Sequence, residues 1–216
     1  MVWDVAGRLT RPVGATVYRG PRHKKAVAIT FDDGPSESTP ELLGLLARYK
    51  VQATFFQCGV NVRRLPEVAR AVAEGAHEVG NHSDSHPSML LRSKSFMSKE
   101  LGRAQESILA TTGRRPVLFR PPYGHLWFGL GEVERRLGLT GVMWTTIGWD
   151  WKHPAARVLS ILRKGCANGA IFCLHDGRIG EQGPDIRNTL EAVRRFVPEL
   201  LAQGFRFETV SQLLRS

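Results

Sequence analysis

Ala26-Val27-Ala28-Ile29-Thr30-Phe31-Asp32-Asp33-Gly34-Pro35 is an apolar run closed by two adjacent acids and a rigid Gly-Pro pair. It reads as a strand, Ala26–Phe31, with carboxylates just past its C-terminal end. Six more strand-like runs follow, near Ala53–Cys58, His77–Gly80, Val117–Phe119, Gly141–Thr146, Ala170–Leu174 and Phe205–Thr209. Helical patterns lie between them. Ser38-Thr39-Pro40-Glu41 looks like a capped start, and Leu42, Leu45, Leu46 and Tyr49 supply an apolar stripe. Pro66 opens a second helix that ends near Gly75, and Ser98 to Thr112 gives a third, stopped by Gly113. Further helices are expected over Gly131–Leu137, Pro154–Lys164 and Ile186–Gln203, with a short last one from Ser211. Seven βα units in a row imply a parallel sheet, open or closed.

The chemistry-bearing residues recur at the strand ends. Asp32-Asp33 follow the first strand, and His82 and His86 the third. Arg120-Pro121-Pro122-Tyr123 follow the fourth, Asp150-Trp151 the fifth, and His175-Asp176 the sixth. Polar groups past the C-terminal ends of successive parallel strands converge on one face.

Composition narrows the class without naming a reaction. The chain has 216 residues, of which 42% are hydrophobic and 23% charged, as in an ordinary globular protein with one sizeable core. No run approaches the roughly 20 apolar residues of a membrane helix. The N-terminal residues show no basic start followed by an apolar segment, so no signal peptide is visible. The compartment stays open between the cytoplasm and export after signal removal. Residues 1–23 read as an edge-covering extension and 24–216 as the catalytic domain. Net charge is +10, which suits anionic polymers, but the arginines are scattered and no nucleic-acid module accompanies them. Cys58, Cys166 and Cys173 are too few and odd in number for a disulfide framework and read as buried free thiols.

Each constellation has a plain alternative. Asp32-Asp33-Gly34-Pro35 is also a good turn sequence. As function, one acid can bind a metal while its neighbour, turned the other way by the backbone, stays free as a base. His82 and His86 are four apart, so on a helical turn they share a face and can grip one ion. With Asp33 they make an Asp-His-His set open to water and substrate. The same set occurs in iron oxygenases, but those sites usually sit on all-β scaffolds, and this chain alternates strand and helix. His175 is either a satisfied residue at a strand end or the proton donor for a leaving group. Asp150 can hold that imidazole charged, and Arg120 can pair with Asp32. The backbone N–H of Tyr123, on a Pro-Pro-Tyr-Gly turn, can meet an oxyanion. Trp151 and Leu174 suit the walls of an acyl or sugar pocket, or ordinary core.

Taken in order, Thr30-Phe31-Asp32-Asp33-Gly34, His82-Ser83-Asp84-Ser85-His86, Arg120-Pro121-Pro122-Tyr123, Asp150-Trp151 and Leu174-His175-Asp176 resemble the five motifs of the NodB-like polysaccharide deacetylases, carbohydrate esterase family four. The resemblance spans residues 24–212 and implies a distorted (β/α)7 barrel. It implies metal-dependent removal of acetyl groups from N-acetylated, sometimes O-acetylated, sugars of peptidoglycan- or chitin-like chains. It implies Asp32 as base, Asp33, His82 and His86 as metal ligands, Arg120 as support for the base, Tyr123 as oxyanion N–H, Asp150 as tuner and His175 as acid. The expected metal is Zn2+, with Co2+, Ni2+ or Fe2+ as alternatives. One departure stands out: the family's fourth motif often begins with a second Asp, and here that position is Ile147. The rival functions are an O-acetyl esterase, a deformylase on a lipid-linked sugar, and a glycan-binding module without catalysis.

Overall fold

The computed structural model describes residues 16–215. Nine strands run β1 (Thr16–Val17), β2 (Ala26–Asp32), β3 (Thr54–Gln57), β4 (Glu78–Asn81), β5 (Leu118–Phe119), β6 (Thr140–Val142), β7 (Thr146–Ile147), β8 (Ile171–His175) and β9 (Arg206–Phe207). Every pairing is parallel. The order is β1-β6-β5-β4-β3-β2-β8-β7, with β9 beside β2. The sheet curls into the distorted (β/α)7 barrel that the motifs imply, and its seam lies between the two ends of that order, β1 and β7. The helices are α1 (Thr39–Tyr49), α2 (Gly59–Arg64), α3 (Pro66–Glu74), α4 (Lys94–Thr112), α5 (Leu130–Leu137), α6 (Ala155–Lys164), α7 (Arg187–Ala202) and α8 (Val210–Leu214).

Strand β2 shows how the sequence sorts itself. Side chains alternate between faces. Val27, Ile29 and Phe31 join the outer core under the helices, while Ala26 and Ala28 join the inner cluster with Phe56, Val142 and Ile171. Thr30 and Asp32 share the inward face with the alanines and reach Arg120. Helix α1 buries Leu42, Leu45 and Leu46 against the outer face and ends at Lys50, whose left-handed backbone returns its N–H to Ala47 and Leu46. Burying one such leucine stabilises the fold by about 2 kcal/mol. Helix α8, closed by a Thr209–Gln212 capping box, lies across the lower mouth. There the Val210 N–H donates to Thr54 Oγ1 and the Ser211 N–H to Glu78 Oε2, at the starts of β3 and β4.

Three differences from the sequence reading have physical reasons. The run Gly141–Thr146 forms two strands, because the chain crosses the seam there. Met143 N–H bonds Val17 O on one side and Thr145 N–H bonds Ile171 O on the other. Helix α4 begins at Lys94, since Ser93 caps it by accepting from the Phe96 N–H. Helix α2 is an additional turn after β3, seated on the loop beyond β4 through Gly59 N–H to Ser83 O. Within the expected N-terminal extension, residues 1–15 lie outside the described residues, while Thr16–Val17 form edge strand β1 against β6.

Candidate active site

The strand ends bring the sequence motifs to one face. Asp32 closes β2 and Asp33 follows in a left-handed conformation, φ 70°, which turns the second carboxylate away from the first. Gly34 is then forced: a Cβ there would sit 2.4 Å from Asp176 Oδ2. Asn61 on α2 donates to the Asp33 carbonyl at 2.7 Å and fixes the turn.

His82 and His86 do not lie on a helical turn as the i, i+4 spacing suggested. They sit in the loop between β4 and α4, where Ser83 and His86 both have positive φ. Side chains hold that loop instead of helical bonds. Asn81 accepts the Ser83 N–H, and Ser83 Oγ accepts the His86 N–H. Asp84 is buried against the Arg63 guanidinium at 2.6 Å, and Glu100 on α4 accepts the Ser85 N–H at 2.9 Å. His82 Nδ1 lies 2.7 Å from the Arg120 carbonyl. Donation there puts the proton on Nδ1 and leaves Nε2 free to bind an ion.

Asp33, His82 and His86 meet as a trio. Asp33 Oδ1 is 3.2 Å from His82 Nε2 and 3.0 Å from His86 Nε2. The oxygen is nonetheless buried without a hydrogen bond. Ligands bonded to one tetrahedral zinc at about 2.0–2.1 Å stand about 3.3 Å apart, so spacing and donor set both fit a small divalent ion. Burial pushes the Asp33 carboxyl up, but the flanking imidazoles of His82 and His86 more than reverse that and hold it well below the usual carboxylate range. A second trio, Asp32, Cys173 and His175, is nearly as compact. It is a poor metal site, because burial pushes the Cys173 thiol well up and the ligand form is the thiolate. The neutral thiol donates to Asp32 Oδ2 at 3.3 Å.

Asp32 is held at its other oxygen by Arg120, Nη1 to Oδ1 at 2.7 Å. Arg120 is fully buried. Its guanidinium also reaches Thr30 Oγ1 and the Val142 and Met143 carbonyls at the seam, and lies over the Phe56 ring. A charge at that depth is tolerated because its donors are met. Opposite, His175 Nδ1 is 3.0 Å from Asp150 Oδ1. Asp150 Oδ2 accepts the His175 backbone N–H and the Thr189 hydroxyl. Burial disfavours the charged imidazole, but Asp150, with Asp33 and Asp32 beyond it, raises His175 to about 9.

Tyr123 has φ 59° and a side chain 64% exposed, its ring 4.7 Å from that of His86. Its turn is closed by the Gly124 and His125 N–H groups, and the Tyr123 N–H takes no part in those bonds. Trp151 is exposed, with its ring edge-on to His175 at 4.4 Å. Leu174 corrects an expectation. It is fully buried in the outer core, against the turn at Gly148, and offers no surface to a substrate. Its alternation along β8 puts it under the helices, so it supports the turn that carries Trp151. Ile147 pairs with Cys173 of β8 from its place in β7.

Several partners had little or no signal in the sequence. Asn61, Arg63, Glu100 and Thr189 lie on helices outside the motifs. Asp176 lay within the last motif with no role assigned. Burial, with Asp33 and Asp32 adding to it against a hydrogen bond from Thr39, pushes its carboxyl up to about 7.

An open trio of one carboxylate and two imidazoles, with a restrained acid on one side and a carboxylate-backed imidazole on the other, defines a metal-dependent hydrolase. The polysaccharide deacetylase family model matches residues 19–142. The chain is 35% identical over 211 residues to a Bacillus cereus peptidoglycan-N-acetylglucosamine deacetylase, covering 94% of this chain and 95% of that one. It superposes with TM-score 0.89 and 26% identity on the peptidoglycan N-acetylglucosamine deacetylase Bc1960, covering 98% and 97%. It also resembles BA3943, a pseudoenzyme of the same family from Bacillus anthracis, with TM-score 0.85 and 28% identity over 93% of this chain and 69% of that one. The chain belongs to the polysaccharide deacetylases, metal-dependent hydrolases that remove N-acetyl groups from glycans.

Proposed function

We propose that this chain de-N-acetylates N-acetylglucosamine units of a peptidoglycan-like glycan, with Zn2+ held by Asp33, His82 and His86. The observation that carries the reading is the buried Asp33 oxygen facing two imidazoles, set between the Asp32–Arg120 and His175–Asp150 pairs. Two imidazoles and one carboxylate favour zinc over the harder magnesium and calcium ions. When bound, the ion polarises the acetyl carbonyl and lowers the pKa of water at the site to about 7.

Asp32 takes the proton from the attacking water, and Arg120 and Cys173 fix the carboxylate for that transfer. The Tyr123 N–H faces the oxyanion as the carbonyl carbon becomes tetrahedral. His175 then gives its proton to the sugar nitrogen as the C–N bond breaks, since an unprotonated amine leaves poorly. Asp150 keeps that imidazole charged until the transfer. Trp151 walls the site beside His175.

The test is acetate release and new primary amine from N-acetylglucosamine oligomers and from peptidoglycan, with chelator and after adding Zn2+ back. Chelator-sensitive release of both in equal amounts is the expected result. Acetate from O-acetyl esters alone would make the chain an esterase. Glycan binding without acetate would place it with pseudoenzymes such as BA3943.

A further inference from the structure

Eight non-glycine residues among those described have positive φ, and six of them, Asp33, Ser83, His86, Leu91, Tyr123 and Trp149, lie in loops at the strand C-terminal ends. A bulky residue in that region is strained, and such strain persists where a site requires it. Asp33 and His86 are metal-trio members, Ser83 holds His86, and Tyr123 flanks it. Leu91 and Trp149 neither belong to nor touch the metal trio, and of these two Trp149 is the one whose ring packs into the wall beside His175, through Trp151.

We propose that Trp149 is the platform of a second sugar subsite, stacking on the pyranose next to the unit that is deacetylated. The proposal rests on the deacetylase reading above. The turn itself does not ask for tryptophan: at φ 55°, glycine or asparagine would close it with less strain. Core packing does not ask for it either, since Trp149 is 43% exposed. What remains is the indole face. Its ring lies 5.1 Å from Trp151, tilted by 48°, and Trp151 in turn lies against His175. Trp149 is therefore one ring farther out along the wall beside the proton donor. Tyr123 stands at the far side of the trio, against His86. A glycan crossing the site meets aromatic faces on both sides. The axial C–H face of an N-acetylhexosamine ring is flat and apolar, and a rigid indole buries it at low entropic cost.

The test compares metal-loaded wild type, Trp149→Ala and Trp149→Phe on an N-acetylglucosamine tetramer and on 4-nitrophenyl acetate, which is too small to span two subsites. Trp149→Ala is expected to raise KM for the tetramer about tenfold, the equivalent of one lost stacking contact. Its kcat/KM on the ester should change by less than about twofold, and Trp149→Phe should recover most of the tetramer binding. Trp149→Gly should melt no lower than wild type, which separates lost binding from lost folding. An unchanged tetramer KM in Trp149→Ala overturns the proposal, and so does an equal loss on ester and tetramer. If wild type releases no amine from the tetramer, the deacetylase reading fails by itself. Tryptophan fluorescence change on tetramer binding, present in wild type and lost in Trp149→Ala, then still decides whether the subsite exists.

Discussion

At the C-terminal ends of the strands Asp32, His82, Asp84, Arg120, Asp150 and Asp176 are all buried, and six non-glycine loop residues are held at positive φ. At the opposite end, where α1 and α3 run into β3 and β4, Leu43, Ala47, Val51, Ala71 and His77 line an apolar cavity of about 450 Å³. Positive φ there falls on Lys50, which closes α1, and on Ala76, just past the end of α3. Both ends belong to one sheet, and among the described residues the buried charges met by specific partners gather at the first of them. Buried charge and strained backbone both cost stability. Their concentration on one rim marks where the fold gives up stability for chemistry, and substitutions at the two rims should fail in different ways.

The largest effect is expected at the metal trio. His82→Ala should remove bound metal and reduce hydrolysis to background, as chelation does, with Zn2+ or Co2+ restoring only the wild type. The far-ultraviolet circular dichroism should stay native, because the loop is tied by Asn81, Asp84 and Glu100 rather than by His82. Full turnover in a preparation shown by elemental analysis to be metal-free would break the comparison outright.

Next comes the separation of the paired acids. Asp32→Asn keeps the hydrogen bonds from Arg120 and removes the base, so kcat should fall on the order of 10²–10⁴-fold with metal still stoichiometric. Asp33→Ala should lose the metal itself. Stoichiometric metal in both variants would refute the division of roles that the left-handed turn at Asp33 sets up.

The third effect is a displaced pH profile. In its proposed role as proton donor His175 must be protonated, and Asp150 raises it against burial to about 9. A proton donor of raised pKa works below that value and fails above it, so it sets the alkaline limb of the rate. A bound dication adjoining Asp33 opposes the imidazolium and places the wild-type limb below 9. Asp150→Asn should move it lower still, by about 1–3 units, with metal content unchanged. Because metal-held water also titrates near neutrality, the leaving group decides ownership of the limb. His175→Ala should harm an amide substrate much more than an activated acetyl ester. Equal losses on both would leave His175 a structural residue.

Most of this rim was legible in the sequence because strand ends and polar motifs coincide: an apolar run followed at once by Asp32-Asp33 or His175-Asp176 states both the strand and the face. The Asp32–Arg120 and Asp150–His175 pairs follow from charge complementarity between motifs. What was hidden is whatever depends on the third dimension. Spacing of four suggested a helical turn for His82 and His86, because periodicity does not reveal a loop held by Asp84, Ser83 and Glu100. Residues 141–146 read as one strand, since nothing local says that the chain crosses a seam filled by Arg120 and Trp144. Leu174 read equally as pocket wall or core, and its one-residue step along β8 from Cys173 puts it on the helix side. Trp149, just before Asp150-Trp151, carries no signal in the sequence, because its strain is a backbone property that side-chain pattern does not show.

The smallest effect belongs to the opposite rim and should touch stability alone. His77 is buried, its Nδ1 accepts the Ala53 N–H at 3.2 Å, and burial lowers its pKa from 6.5 to about 4. Above pH 6.5 the ring is neutral in both folded and unfolded chains and contributes no pH dependence. As pH falls from 6.5 toward 4, the unfolded chain gains a proton that the folded one refuses, so stability drops. Below 4 both forms are charged and the loss levels off. Glu134 and Asp176, raised by burial to about 8 and 7, slope the other way, because their folded forms take up protons first. The wild type must therefore be compared with His77→Gln, in which those two contributions cancel and an amide oxygen can still accept the Ala53 N–H. Urea midpoints should converge near pH 7.5 and separate in favour of His77→Gln by pH 4.5, with kcat/KM the same in both at neutral pH. A constant difference across that range would mean that His77 stays neutral in the unfolded chain too or charges freely in the fold. A change in kcat/KM would mean that the two rims are coupled.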